Sequence, residues 1–257
     1  MKNISLIILL VLFAYCSAKK NNAADTGKES YLDSLALYMP AFAKDTAIIY
    51  DVRLAEDENV LDIVGKFIDS TRIFALSIIP EDTIITFHRF DNNNWKKIGS
   101  HTAISDVIFM IDFIDMDNDR NNEIIVRTPP NMNGNTWQDV FRYSVENDSI
   151  ELAGSFSTDF EIKKENKTVE VTYEGSWYMT PEKTLYQWHN NRLIAIKMIS
   201  LPLKTDTKTD DRIFRYYENP FTDKDTLVLK IEAPYKGKKY KDMWDNFFEK
   251  AGNAGEE

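Results

Sequence analysis

The sequence predicts a mostly β fold, built either as a partial propeller-like array or as a curved antiparallel sheet, with short N-terminal and C-terminal helices. Three observations predict it. Apolar and polar residues alternate along many short stretches. Isoleucine, valine, threonine and aromatic residues fill those stretches, and these types fit a pleated, half-buried surface. Asparagine, aspartate and glycine, which favour turns, lie between them.

The composition is that of a folding chain and excludes two classes of protein. The chain has 257 residues, of which 43% are hydrophobic and 28% are charged, enough for a substantial core. Its formal net charge is -10, whereas a duplex-binding protein needs a basic surface, so we expect no nucleic-acid partner. There is one cysteine, which excludes a disulfide framework.

Residues 1–15 have the pattern of a signal peptide. Lys2 precedes nine uninterrupted apolar residues at positions 6–14, too few to span a bilayer as a mature helix. Cys16 follows at once, and the whole resembles a bacterial lipoprotein signal, in which that cysteine becomes the lipidated first residue. Cleavage after Ala18 without lipid and a retained anchor are the alternatives.

The remaining chain is predicted to be a tether followed by one domain. Residues 16–30 are polar and mostly small, as in a flexible tether, and residues 31–257 form a single β-rich domain. We therefore expect a protein that is exported and lipid-anchored in a bacterial cell envelope, on the outer membrane or facing the periplasm. Contact with the membrane would be through the lipid anchor only, because no later apolar run is long enough to span it.

The predicted elements follow one another along the chain. Helical spacing of apolar residues at 31–38, ended by Pro40, predicts a short helix. A second helix is predicted over 240–250, where aromatic residues and Met243 share one side; it either packs on the sheet or contacts a partner. The predicted strands between them are 48–54, 72–79, 83–90, 122–128, 139–145, 168–175, 184–188 and 192–199.

Three stretches share one plan, in which an aromatic strand meets an asparagine-rich turn and a second strand returns. They are residues 86–100, 141–155 and 185–198. Asparagine tolerates the left-handed conformation that hairpin turns need. The spacing fits propeller blades, but an ordinary antiparallel meander produces similar hairpins, and both arrangements stay open.

A candidate metal site lies in the segment 111–127, where acidic residues alternate between two apolar stretches. The candidate ligands are Asp115, Asp117, Asp119, Asn121 through its main-chain carbonyl, and Glu123. A hard cation such as calcium takes six to eight oxygens, and carboxylates at every second position of a tight loop are able to converge on it. The predicted cofactor is therefore calcium.

This loop is not an EF-hand, because Val126 stands where the bidentate glutamate belongs. It resembles the shorter D-x-D-x-D-G-x-x-[DE] loops of integrin-like FG-GAP repeats and of small secreted calcium-binding β-proteins. Arg120 replaces the usual glycine, which brings a side chain and a positive charge to a sharp turn. The alternative is an acidic turn whose aspartates cap main-chain amides, or a loop that Arg120 holds in place of the ion.

The predicted partner surface is the loop 128–139, which contains two prolines, three asparagines and Trp137. A tryptophan on a stiffened loop is a plausible interface anchor, although one that folds back over a sheet edge is more common. The sequence has no nucleophile elbow, metalloprotease helix or phosphate-binding glycine loop. His88 and His189 fit surface or cross-strand positions and His101 a local cap or pair, so we do not predict an enzyme.

The plan of signal, acidic β-domain, single acidic loop and late aromatic hairpin resembles secreted lysozyme-inhibitor-like β-proteins. That resemblance implies an inhibitor or immunity protein against a cell-wall hydrolase, with a structural calcium ion and a protein or glycan partner in the envelope. Scattered aspartate-(serine or threonine)-aliphatic triplets also resemble a glycosylation signal of exported Bacteroidota proteins. The alternative functions are a structural or assembly lipoprotein of the outer membrane and a glycan-acting enzyme.

Overall fold

The computed structural model confirms a mostly β fold. It describes residues 48–54, 59–79, 84–102, 110–132, 134, 136–175, 179–204, 211–219 and 226–252. Within these residues, 58% lie in strands, which form three antiparallel sheets, and two short helices lie at the C-terminal end. The signal peptide, the lipidated cysteine, the tether and the helix predicted over 31–38 lie outside the described residues.

The first sheet has five strands in chain order, each hydrogen-bonded to the next. Its strands are β1 (Ile49–Leu54), β2 (Asn59–Gly65), β3 (Phe74–Ile79), β4 (Ile84–Asp91) and β5 (Asn94–Thr102). All four pairings are antiparallel. The order is that of a meander, in which every contact is between neighbours along the chain.

The second sheet has four strands, again in chain order. They are β6 (Met110–Ile114), β7 (Glu123–Arg127), β8 (Gln138–Ser144) and β9 (Ser149–Phe156). The acidic loop connects β6 to β7, and the loop that contains Trp137 connects β7 to β8. The acidic loop and the loop that contains Trp137 therefore adjoin opposite ends of the five-residue strand β7.

The third sheet has six strands, and two helices follow it. The elements are β10 (Phe160–Lys163), β11 (Thr168–Tyr173), β12 (Glu182–His189), β13 (Arg192–Ser200), β14 (Ile213–Glu218), β15 (Val228–Pro234), α1 (Lys238–Asp245) and α2 (Phe247–Gly252). Sheets of five, four and six strands do not repeat the equal four-stranded blades of a propeller. They fit the curved antiparallel sheet better.

The asparagine turns form as the sequence predicts. Asn92 and Asn93 join β4 to β5, and Asn190 and Asn191 join β12 to β13. All four residues have positive φ, between 47° and 64°. Two consecutive left-handed residues define the turn whose twist matches that of the flanking strands, and asparagine adopts this conformation at low cost.

The described chain divides into two compact units. The first comprises the described residues of 1–114 with 120–129 and 141–151, and the second comprises 115–119, 130–140 and the residues from 152 onwards. The core of the first unit consists of aromatic and aliphatic side chains with 8% or less of their surface exposed, among them Ile63, Phe74, Phe87, Ile124 and Phe141. Strand alternation places these side chains on the buried faces.

The core of the second unit joins the third sheet to the C-terminal helices. Leu185, Ile199 and Phe214 are buried there together with Phe247, and the ring of Tyr240 lies 4.9 Å from that of Phe214. The helix predicted over 240–250 is found as α1 and α2, separated at Asn246. Its apolar side packs against the core that includes strands of the third sheet, as the packing interpretation describes. Among the described helices, none has the length and apolar character required to cross a membrane.

Candidate metal centre

The acidic loop runs from the end of β6 to the start of β7. Asp115 is half-buried, Asp117 is 5% exposed and Glu123, the first residue of β7, is fully buried. Met116 lies between the two aspartates and is also fully buried. Carboxylates are almost never buried unless a positive charge or a metal compensates them, so this loop is unusual among acidic turns.

Three of the predicted ligands converge. One carboxylate oxygen from each of Asp115, Asp117 and Glu123 lies within 4.8 Å of the other two. Three carboxylates at this separation repel one another, and the repulsion grows where water is excluded. A cation held by these three oxygens would relieve the repulsion.

The other two predicted ligands have different positions. The carboxylate of Asp119 is outside the convergent group, and its main-chain N–H donates to Oδ1 of Asp115 at 3.1 Å. Asn121 is half-buried beside the loop. In this hydrogen bond an aspartate caps a main-chain amide, as the alternative interpretation of the sequence proposes. The same loop contains the convergent carboxylates.

Arg120, at the position where the sequence analysis expected glycine, adopts the left-handed conformation that favours glycine. Its φ is 73°, and Asn118 also has a positive φ of 62°. An L-residue with a Cβ atom pays roughly 1–2 kcal/mol for this left-handed conformation. The sharp turn is therefore preserved although its usual residue is absent.

Asn122, which the sequence analysis did not single out, joins the residues before β7 to the turn that follows β2. The main-chain N–H of Asn122 donates to the carbonyl of Ile68 at 2.7 Å, and its side-chain amide donates to the carbonyl of Phe67 at 2.8 Å. Both carbonyls belong to the turn that follows β2. No sequence pattern predicts these contacts, because they join residues more than fifty positions apart.

The buried end of the loop has a positive neighbour. Nη1 of Arg142, on β8, lies 3.5 Å from Oε1 of Glu123, and the Arg142 side chain is 14% exposed. A guanidinium at this distance offsets part of the cost of burying the carboxylate. The cation that the sequence placed beside the site was Arg120, whereas the structure adds a second one on a neighbouring strand.

The donor set suits a hard divalent cation. Three carboxylates supply up to six oxygens, and calcium accepts six to eight oxygens in an adaptable geometry. Zinc favours cysteine and histidine ligands, neither of which contributes to this group. Asp115, Asp117 and Glu123 therefore supply the donor atoms that a hard divalent cation such as calcium accepts.

The predicted anchor Trp137 lies at the start of β8 and is half-buried. Its indole N–H donates to Oγ of Ser155 at 2.8 Å, and that hydroxyl donates to the buried carboxylate of Asp139. The side chain thus leans on β9, as the fold-back interpretation describes. Among the described residues of this connection, Met132 is a large apolar side chain that is fully exposed.

Similarity to known proteins does not assign the site. No protein-family model matches the chain, and none of the curated proteins matches it. Among solved structures it is similar to one described as the structure of a Xanthomonas type IV secretion system related protein, at 10% identity and a TM-score of 0.39. The match covers 73% of this chain and 95% of that chain. A likeness this weak supports no functional inference, and the site is interpreted from its own geometry.

Proposed function

We propose that this chain is a non-catalytic, calcium-binding β-protein of the bacterial cell envelope that presents a recognition loop to a protein or glycan partner. The observation that carries the proposal is the convergence of Asp115, Asp117 and Glu123 within 4.8 Å, with the last two almost fully buried. The ion is structural: it compensates the buried charge and joins the two ends of the loop.

Calcium acts on recognition through strand β7. The ligand Glu123 begins this strand, and the connection that follows Arg127 contains Met132 and Trp137. An ion that fixes the start of the strand reduces the conformational freedom of the segment beyond it, and this lowers the entropy cost of binding a partner. Met132 offers an exposed apolar contact at the tip of the connection.

The direct test is calorimetric titration of the EDTA-treated protein with calcium, together with thermal unfolding. With a dissociation constant near 1 mM, as in extracellular calcium modules, about 10 mM calcium would stabilise the fold by ~1.4 kcal/mol and raise Tm by about 4 °C. Absence of both a binding heat and a melting shift would contradict calcium binding and indicate an acidic turn that holds no ion.

Matched variants identify the ligands. Asp117→Asn removes a convergent carboxylate and should abolish the calcium-dependent melting shift, whereas Asp119→Asn removes one outside the group and should weaken the shift much less. Glu146→Gln, on the exposed turn between β8 and β9, serves as the charge control. Equal losses in the first two variants would contradict the ligand set.

For the partner we propose, from the resemblance to lysozyme-inhibitor-like proteins, a cell-wall hydrolase that this chain inhibits. An acidic inhibitor with a formal charge of -10 would complement a basic hydrolase. Capture by a hydrolase panel should fall for Trp137→Ala and Met132→Ala but not for Ser155→Ala, which removes the indole's acceptor and a donor to Asp139 but keeps the Trp137 side chain. Equal capture by all three variants would show that this loop does not contact the hydrolase.

The alternative of an assembly lipoprotein that uses its C-terminal helix as a contact is less favoured, because Tyr240, Met243 and Trp244 pack against the core of the second unit. Export and lipid attachment belong to the proposal as well. Mass spectrometry of the mature protein and membrane fractionation of Cys16→Ser test them. A wild-type chain that begins after Ala18 and stays in the aqueous fraction would support export and contradict lipid attachment.

A further inference from the structure

A dense run of positive charge lies just after the last strand. Residues 236–241 read KGKKYK and contain four lysines and no acid, in a chain whose formal charge is -10. Lys236 lies in the turn after β15, and Lys238, Lys239 and Lys241 belong to α1. All four side chains are exposed. We call these four residues the lysine patch.

The fold itself gains little from the lysine patch. A helix favours acidic residues in its first turn, because the amide dipoles place positive charge there, yet the first turn of α1 has none and begins with two lysines. Lys236 lies 3.2 Å from Asp211, but that pair is exposed, and exposed pairs contribute little. Lysines that oppose the helix dipole and add little to folding indicate a partner outside the chain.

The apolar side of α1 is already used. Tyr240, Met243 and Trp244 pack against the core of the second unit, so α1 has no apolar side left to insert into a partner. What the helix offers outward is charge, mainly that of its lysines, with Asp242 half-buried and Asp245 exposed after them. The partner should therefore be an extended anionic surface that attracts the patch without deep contact.

A bilayer of anionic lipids fits this requirement better than a nucleic acid. Its negative potential decays within a Debye length, so it acts on the side of the protein that faces it and leaves remote acids unaffected. A polyanion that wraps a protein meets the acidic surface as well, and the net charge of -10 opposes it. Each lysine near such a membrane contributes about 1 kcal/mol to the binding free energy, so several lysines together produce appreciable binding.

We propose that the lysine patch docks this protein on the anionic headgroups of the membrane to which it is attached. The inference rests on the proposed export and lipid attachment, which hold the chain near a bilayer, while the patch determines which side of the second unit faces it. It does not depend on calcium binding.

The test is flotation of the full chain carrying Cys16→Ser with vesicles of phosphatidylcholine, or of the same lipid with about one-third phosphatidylglycerol. The difference in partition between the two vesicle types is the readout, because the apolar stretch at 6–14 inserts into both. We expect preferential binding to the anionic vesicles, lost when salt is raised from about 20 to 300 mM.

Charge-removing variants locate the surface. Lys238→Gln with Lys239→Gln should reduce the anionic preference by about tenfold or more, since each lysine contributes ~1 kcal/mol. Lys97→Gln with Lys164→Gln removes two exposed lysines elsewhere and should leave it unchanged. Equal partition of the wild type into both vesicles, equal losses in the two variants, or equally tight binding of a DNA oligonucleotide would overturn the proposal. The calcium titration, run in parallel, reports separately on the proposed metal site.

Discussion

The guanidinium of Arg142 lies 3.5 Å from the fully buried carboxylate of Glu123. The same carboxylate converges with Asp115 and Asp117. Arg142 therefore shares one acid with the proposed calcium ion, so that it stabilises the loop without the ion and opposes ion binding by charge repulsion. This shared acid makes the energetics of the site testable.

Arg142→Gln should destabilise the calcium-free protein and strengthen calcium binding. The buried carboxylate loses the cation that lies 3.5 Å away, at a cost of about 3 kcal/mol, while the site loses a repelling charge, which should lower the calcium dissociation constant about tenfold or more. The calcium-induced rise in Tm should then exceed that of the wild type.

Arg127→Gln is the matched control for that measurement. Arg127 lies 3.5 Å from Asp112, the same separation, but Asp112 is outside the convergent group. Its calcium response should stay at the wild-type level. If Arg142→Gln does not fold without calcium, Arg142→Lys provides the comparison with the charge retained. A calcium response in Arg142→Gln no larger than in the wild type would contradict the shared-acid model.

Arg120→Gly should stabilise the protein by about 1 kcal/mol, because glycine adopts φ of 73° without the steric cost that a Cβ atom imposes. Urea denaturation measures the difference in the free energy of unfolding. Asn118→Gly, at φ of 62°, is the control and should gain less, since asparagine tolerates this conformation. A gain at Asn118 equal to that at Arg120 would show that backbone strain is not the cause.

His88 should make the protein less stable as the pH falls from about 6.5 to 4. Burial of the ring, helped by the charge of Lys97, lowers the pKa of His88 to about 4, so the folded state keeps it neutral while the unfolded state binds a proton. The loss approaches ~3 kcal/mol at the lower end of this window. Urea denaturation at a series of pH values should show this slope in the wild type and a flatter one in His88→Gln.

The exposed His189 supplies the control for that experiment. His189→Gln makes the same substitution at an exposed position at the end of β12. An unchanged slope in His88→Gln would assign the acid sensitivity to other groups.

Asp148→Asn should lower the free energy of unfolding by about 2 kcal/mol at neutral pH. Arg89 donates to both oxygens of Asp148, at 2.8 and 3.0 Å, Tyr143 donates at 2.6 Å, and Lys96 donates as well. These bonds, with that from Arg89 the largest, hold the pKa of Asp148 well below its usual value of 3.8. This stabilisation is complete above that value and is lost as the pH falls below it.

Asp91→Asn tests whether the effect is specific to this network. Asp91 is 46% exposed and lies 3.2 Å from the same Arg89, so its loss should change stability by less than about 0.5 kcal/mol. Urea denaturation at pH 7 and below pH 4 separates the two variants. A loss in Asp91→Asn as large as that in Asp148→Asn would argue against the network as the source.

The sequence predicted the strands wherever alternation was strong and a turn was marked. The hairpins through Asn92–Asn93 and Asn190–Asn191 follow from local residue preferences, and the structure has both. Strands β2, β10 and β15 were not predicted. In β2, the buried Asp62 interrupts an apolar face, and its acceptance of a hydrogen bond from Ser77 on β3 is not visible in the sequence. The residues of β15 are mostly exposed, so its pattern of burial is weak.

The glycosylation triplet at Asp148 shows the same dependence on tertiary contacts. Its aspartate is held by Arg89, Lys96 and Tyr143, and the hydroxyl of Ser149 lies 3.4 Å from Glu151. The sequence showed a possible signal, whereas the structure shows residues engaged in the turn between β8 and β9. The aspartates of the other triplets singled out in the sequence, Asp33, Asp45, Asp82 and Asp225, lie outside the described residues.

The amino-acid order alone determined that the chain is mostly β, where its asparagine hairpins turn, and that Asp115, Asp117 and Glu123 belong to one short loop, because these properties depend on neighbours within about a dozen positions. Only the tertiary structure decided that Asp119 stays outside the convergent group, that Arg142 approaches Glu123 and that Asn122 holds the turn after β2. Such contacts depend on which strands pair and which side chains are excluded from water, and those outcomes are properties of the whole packed core.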